Sequence, residues 1–352
     1  MYYINENIKN LNRIFDQNLR EGYLRMDLNE NPGGLSENFI KEVLSDITPE
    51  FLSQYPETRL FTEILADFID AKPDEICLTN GSAEGIRYII EAYTRPEGKI
   101  LGVVPSYAMY EVYAKMYGRE FVPVKYSSEF KMNIDDIICK LSPDIDLVVI
   151  LNPNNPIGDV YTYNEMDKLI KAAKENETTV LIDEAYFYFY PNSFVKYALE
   201  NNNVFLTRTF SKLFSLGSLR LGYVVGQAEG IAMIQKLCTP HNVNAFAMKF
   251  AQKIIETEGM IESLVEKQIE GKNYLVKELK KRNYDVSAKE GNFIFIKPKS
   301  SAKKVKDKLK NDKKILVKVY DNIGTFGECL RVSTGEKHLM KIFIDALTDV
   351  DE

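Results

Sequence analysis

The feature of this 352-residue chain that most limits its fold is an alternation between short, continuously apolar runs and longer amphipathic ones. Ile100–Val104, Leu147–Leu151, Thr179–Ile182, Val204–Thr207 and Tyr223–Gly226 read as strands, with helical patterns between several of them, such as Asn164–Lys174. A strand that is apolar at nearly every position must be covered on both faces. Strands of that kind spaced by helices predict an α/β fold, with a mostly parallel sheet sandwiched by helices. From about Ile231 to Arg282 the pattern is long and helical. Phe293–Lys297, Ile315–Val319 and Cys329–Ser333 then read as strands of a smaller α+β unit. The chain is longer than one core usually serves. We therefore expect an N-terminal arm or part of the small domain over 1–27, a large ligand-binding domain over 28–230, and a small C-terminal domain over 231–352.

Several function classes are disfavoured. The net charge of −6 gives no reason to expect nucleic acid or an anionic membrane as partner. No apolar run reaches the roughly 18 residues of a membrane span. The opening Met-Tyr-Tyr-Ile-Asn-Glu lacks the basic and apolar regions of a secretory leader. Cys77, Cys139, Cys238 and Cys329 lie far apart with no Cys-x-x-Cys, which argues against a disulfide framework or a zinc site and for a reducing cytoplasm. His241 and His338 are the two histidines, too few for a three-histidine metal site, and both read as structural or solvent-exposed. No metal is expected. In the lysine-rich run 299–314, Val305 and Leu309 keep the spacing of a buried helical stripe, so the lysines read as a solvated face. The chemistry must rest on Lys, Asp, Tyr and Arg, or on a cofactor.

Three motifs fall just beyond the carboxyl ends of predicted strands, where open α/β sheets bind ligands. Thr209-Phe-Ser-Lys212 follows Val204–Thr207 and is followed by Arg220. A lysine able to condense with an aldehyde, beside hydroxyls and a guanidinium able to hold a phosphate, suits pyridoxal phosphate. Asp183-Glu-Ala-Tyr186 follows Thr179–Ile182. Its carboxylate could pair with a pyridinium nitrogen or simply cap the next helix. Asn152-Pro-Asn-Asn-Pro-Ile-Gly158 follows Leu147–Leu151 and brings Asn155 to the same edge. Asn80-Gly-Ser-Ala-Glu-Gly85 opens a helical pattern, where backbone N–H groups can meet a phosphate. No dinucleotide or Walker motif is present.

In this order the motifs resemble those of fold-type I pyridoxal-phosphate aminotransferases. The likeness is to the histidinol-phosphate aminotransferase branch, which also contains threonine-phosphate decarboxylases. Leu28-Asn-Glu-Asn-Pro32, Tyr55-Pro-Glu and Cys329-Leu-Arg-Val-Ser333 also match it, so the resemblance runs from about 28 to 335. It implies that Lys212 carries the cofactor and moves the substrate proton, that Asp183 faces the pyridine nitrogen, and that Tyr186 and Asn155 hold the phenolic oxygen. Ser82, the backbone of Ala83, Thr209, Ser211 and Arg220 would cup the phosphate, and Tyr107 would stack on the ring. Tyr55 would reach a cofactor phosphate across the interface of a homodimer with composite sites. Arg331, Lys318 and Asn29 would meet a small amine or keto-acid substrate. The same parts would serve a decarboxylase of a phosphorylated amino acid.

Four positions depart from the family pattern. Ile157 stands for a threonine, Ala83 for an aspartate and Lys318 for an arginine that would grip a substrate phosphate. Leu11-Asn-Arg-Ile-Phe15 replaces a Pro-Tyr that shapes the substrate pocket. Lysine keeps the charge and loses the planar fork. These changes leave the cofactor chemistry intact and put histidinol phosphate itself in doubt: the expected substrate is a small amine or keto compound, phosphorylated or not, with glutamate a candidate amino donor.

Overall fold

The structure, a computed structural model, describes residues 2–11 and 19–351. In chain order its strands are β1 (Leu24–Arg25), β2 (Ile76–Thr79), β3 (Lys99–Val104), β4 (Glu120–Lys125), β5 (Ile145–Leu151), β6 (Thr179–Asp183) and β7 (Val204–Thr209). They continue with β8 (Gly222–Val225), β9 (Asp285–Ser287), β10 (Phe293–Lys297), β11 (Ile315–Leu316), β12 (Lys318–Ile323) and β13 (Gly327–Ser333).

Seven strands form one sheet in the order β2-β8-β7-β6-β5-β3-β4. All neighbouring pairs from β7 to β4 are parallel, whereas β8 runs antiparallel to both β2 and β7. The expected α/β sandwich is present, and the reversed strand is a detail the sequence hides. A strand buried on both faces has the same apolar run whichever way it points. In β5, Leu147, Val149 and Leu151 enter one core while Val148 and Ile150 enter the other. Edge strand β4 carries one buried residue, Val124, and a proline, so it lacks the signal that marks its neighbours.

The helices follow from local chemistry. Tyr163–Glu175 starts at Thr162, whose hydroxyl accepts from the Glu165 N–H while Glu165 accepts from the Thr162 N–H. Its buried stripe of Met166, Leu169, Ile170 and Ala173 packs on one face of the sheet. Helix Ala302–Lys313 buries Val305 and Leu309 and leaves Lys303 and Lys304 exposed, as a solvated face requires.

The second unit is an antiparallel sheet, β12-β13-β10-β9, with its own core. Leu275, Leu279, Ile294, Leu330, Val332 and Phe343 belong to that core. Helix Ala245–Glu256, by contrast, buries Phe250, Ala251 and Ile254 in the larger core, although it lies beyond residue 230. The expected single strand over Ile315–Val319 is interrupted at Val317. β11 pairs in parallel with β1, and β12 pairs with β13. Val317 is itself buried and apolar, so nothing in the run announces the break. Met26, next to β1, is fully buried in the small core and its carbonyl accepts from the Ser333 N–H. Among the described residues no helix is long and apolar enough to cross a membrane, and no His/Cys/Asp/Glu cluster could hold a metal.

Candidate active site

Strand direction gathers the motifs. Through β8, β2 becomes parallel to β7, so β2, β3, β5, β6 and β7 all end at one edge of the sheet, and β8 begins there. Gly222 pairs with both Thr79 and Thr209, which draws the Ser82 turn and the Thr209 loop together. The edge encloses a cavity of about 150 Å³. Ser82, Ala83, Thr209, Ser211 and Arg220 line one part of it; Tyr107, Asn155, Asp183, Tyr186 and Lys212 line the rest, with Leu151 and Ala185.

The first part is an anion cradle. Ser82 opens helix Ser82–Tyr93, and no side chain caps its first turn. Positive partial charge gathers at such an end. Thr209 Oγ1 lies 3.0 Å from Ser211 Oγ, and Arg220 Nη1 donates to Ser211 Oγ at 3.2 Å. Two glycines keep the space open. A Cβ on Gly81, whose φ is +78°, would lie 2.4 Å from Arg220 Nη2, and one on Gly222 would lie 2.4 Å from the Ser82 nitrogen. Arg220 itself has φ +56°. This conformation costs a non-glycine residue about 1–2 kcal/mol and is held by bonds to Ser211 and the Gly217 carbonyl.

The second part carries the reactive groups. Asp183 is the last residue of β6, 2% exposed, and makes no ion pair among the described residues. One carboxylate oxygen accepts from the Ala185 N–H at 3.1 Å in a local turn; Asp183 does not cap the next helix, Phe187–Phe189, whose N-cap residue is Tyr186 and which has no side-chain cap. The other accepts from the Tyr110 hydroxyl at 2.7 Å. Burial pushes the carboxyl up to about 6. Lys212 Nζ donates to the Leu28 carbonyl at 3.0 Å, and enclosure, then the Arg331 guanidinium, push its amine down to about 8. The Tyr186 hydroxyl accepts from Asn29 Nδ2 at 2.9 Å, and burial pushes the phenol up to about 12. Tyr107 meets Tyr110 edge to face, with centroids 5.4 Å apart. A buried carboxylate with no ion-pair partner among the described residues, an amine whose proton is loosened by burial and an anion cradle in one cavity fit a phosphorylated aldehyde on a basic ring.

The opposite wall comes from the small unit and the N-terminal segment. Arg331, 4% exposed, donates through Nη1 to Asn155 Oδ1 at 2.7 Å and through Nη2 to the Asp27 carbonyl. Tyr320 Oη is 3.4 Å from the same Nη1, and the buried Nε has no partner among the described residues. With its oxygen held by Arg331, Asn155 has its NH2 left to donate. Asn29, expected at the substrate, is 1% exposed and does not line the cavity. It stands behind Tyr186, with its N–H on Ser333 Oγ. Lys318 is exposed on β12 outside the cavity, its Nζ 5.3 Å from the Tyr320 ring centroid. Tyr55 is 78% exposed, stacked on His241 at 4.4 Å, and does not line this chain's cavity.

Ile157 is buried with Phe295, Ile323 and Cys329, so the lost hydroxyl has become an apolar contact with the small unit. Of the stretch Leu11–Phe15, residues 12–15 lie outside the described residues. Sequence reasoning passed over Tyr110 and Tyr320. Tyr110 lies three residues after Tyr107, as on adjacent helical turns, and Tyr320 shares a strand face with Lys318. Those spacings were the available signals.

The chain is similar to known proteins in sequence and in fold. The family model described as "Aminotransferase class I and II" matches residues 21–347. The histidinol-phosphate aminotransferase of Thermoanaerobacter pseudethanolicus is 30% identical over 332 residues, covering 93% of this chain and 92% of that protein. The crystal structure of the histidinol-phosphate aminotransferase from Clostridium acetobutylicum superposes with a TM-score of 0.81 at 29% identity, covering 93% of this chain and 99% of that one. A histidinol-phosphate aminotransferase from Sinorhizobium meliloti, solved in complex with pyridoxal-5'-phosphate, shares the fold with a TM-score of 0.83 at 18% identity, over 93% of this chain and 90% of that one.

Proposed function

The chain belongs to the class I and II aminotransferases and depends on pyridoxal phosphate; from that premise we propose that it exchanges an amino group between a donor such as glutamate and a small phosphorylated amine or ketone of the histidinol-phosphate kind. The observation that carries this reading is the single cavity in which Lys212, Asp183 and Tyr186 meet the Ser82–Thr209–Ser211–Arg220 cradle. Relatives named histidinol-phosphate aminotransferase at about 30% identity support the substrate class.

Pyridoxal phosphate supplies a carbonyl that condenses with amines and a ring that stores the electrons of a broken substrate bond. The chain does the rest. Lys212 Nζ, its proton loosened by burial, would accept the proton from the substrate's α-carbon and pass it across the imine nitrogen to the cofactor's former aldehyde carbon. Asp183 provides negative charge where the ring nitrogen is to stay protonated. Ser82, the Ala83 N–H, Thr209, Ser211 and Arg220 bind phosphate, Tyr107 stacks, and Tyr186 with Asn155 donates to the phenolic oxygen. Arg331, its Nε still unpartnered, binds the carboxylate of the amino donor. Lys318 and Asn29 belong to the same side, Lys318 toward a substrate phosphate and Asn29 by orienting Tyr186.

A homodimer with composite sites is part of this reading, and so is a cytoplasmic location. Tyr55 stands exposed beside exposed Leu52 and Leu60, a surface from which it would serve a second copy's cradle. Mixing the Tyr55→Ala and Lys212→Ala proteins tests it. Regained turnover in the mixture is expected, and none at all would refute the shared site.

The reaction is tested by exposing the purified yellow protein to histidinol phosphate, glutamate and phosphothreonine. Bleaching of the visible band with release of a ketone is expected with histidinol phosphate. Carbon dioxide released from phosphothreonine, with the band retained, would make the protein a decarboxylase instead.

A further inference from the structure

Tyr110 lies on helix Met109–Met116, outside the cavity lining, and is 2% exposed. Its ring packs in the core on the same side of the sheet as Leu181 and Tyr186. Among the described residues its hydroxyl donates to the Asp183 oxygen that Ala185 leaves unclaimed. A phenol buried this deeply must find an acceptor, and a carboxylate buried this deeply needs donors. The two requirements meet in one 2.7 Å bond between β6 and a helix of the adjoining layer.

We propose that Tyr110 is a positioning residue for Asp183, clamping one carboxylate oxygen so that the ionised acid is kept at the cavity with a fixed orientation. The inference rests on the cofactor role of Asp183 proposed above. The physical reason is selective: a hydroxyl donor strengthens the charged form of a carboxylate and does much less for the neutral acid. Burial works the other way and favours the neutral form. Tyr110 is the strongest of the donors facing this carboxylate, ahead of the Ala185 N–H and the Thr207 hydroxyl of β7, which favour the charged form too. Glu184, the residue after β6, adds like charge, and its own charge is matched by the buried Arg208 at 2.8 Å. Tyr107 and Tyr186 bring phenols, and Lys212 brings positive charge without a hydrogen bond to it. The Tyr110 ring also seats Tyr107 edge-on, so one residue fixes two parts of the cavity wall.

Tyr110→Phe in the full chain separates the hydroxyl from the ring. With aspartate carboxyl carbons labelled, the Asp183 resonance of the cofactor-free protein is followed by NMR against pH. Its midpoint should rise by about one unit in Tyr110→Phe, a tenfold gain in proton affinity. Loss of the donor favours the protonated acid, so the effect has a definite pH window. Cofactor affinity, read by fluorescence titration, should therefore fall several-fold more at pH 6.5 than at pH 8.5. An unmoved midpoint, or an equal loss of affinity at both pH values, would overturn the proposal and leave Tyr110 a packing residue. If Tyr110→Phe does not fold, the wild-type protein still decides. With tyrosine ring carbons labelled, the Tyr110 Cζ resonance should follow the Asp183 midpoint, and a flat response overturns the proposal. Failure of the wild-type protein to bind pyridoxal phosphate at all would instead refute the cofactor reading.

Discussion

The sheet wall of the cavity and the wall facing the small unit are both polar, yet they are assembled over different distances along the chain. On the sheet wall, Thr209 bonds Ser211 two residues on, Asp183 bonds Ala185 two residues on, and Arg220 reaches Ser211 nine residues back. On the other wall, Arg331 bonds Asp27 across 304 residues and Asn155 across 176, and Asn29 bonds Ser333 across 304. Short bonds at the ends of strands in one sheet hold their geometry whether or not the small unit moves. The long ones exist only while that unit is docked. Cofactor binding and substrate binding should therefore respond to different substitutions.

The largest test is Lys212→Ala. It should remove the visible band of the lysine-bound cofactor and lower turnover by roughly 10⁴-fold, measured with the best amine of the panel. Turnover within tenfold of wild type would break the assignment of the sheet wall. Next comes a mirrored pair. Arg331→Lys keeps the charge and loses the fork, so KM for a carboxylate donor should rise about 30-fold with cofactor affinity nearly unchanged. Arg220→Lys should do the reverse, weakening the cofactor about tenfold with a smaller change in KM. If both variants move both constants equally, the two walls are one coupled unit and the comparison fails. The smallest effect belongs to Lys318→Ala. Because this lysine is exposed, its removal should lower the preference for a phosphorylated over an unphosphorylated substrate by about fivefold. Equal loss for both substrates would mean that Lys318 does not see the phosphate.

The same difference in distance explains what could be read beforehand. The sheet wall was legible because each group sits within a few residues of a continuously apolar strand such as Val204–Thr207. A run of residues and its following turn are contiguous in sequence, and their order matched a known pattern. Asn29 and Lys318 show what a local pattern leaves open. Asn29 turned out to support Tyr186 from behind, and Lys318 to lie outside the cavity. Nothing local distinguishes a residue that reaches a cavity from one that braces its wall, since that depends on how two remote segments dock. The reversed β8 and the break at Val317 were hidden for a related reason: both are matters of partnership, and an apolar run names no partner.

The pairing of β1 with β11 bears on how the protein is made. The ribosome delivers Leu24–Asn29 before the seven-stranded sheet, but their partners Ile315, Leu316, Arg331 and Ser333 emerge only after it. The large sheet can form while synthesis continues, yet the segment that supplies the carbonyl for Lys212 has to wait, unpaired, for most of the chain. A nascent chain stalled before β11 would carry a finished cofactor cradle and an open front, so premature release would yield a protein that holds cofactor without performing turnover.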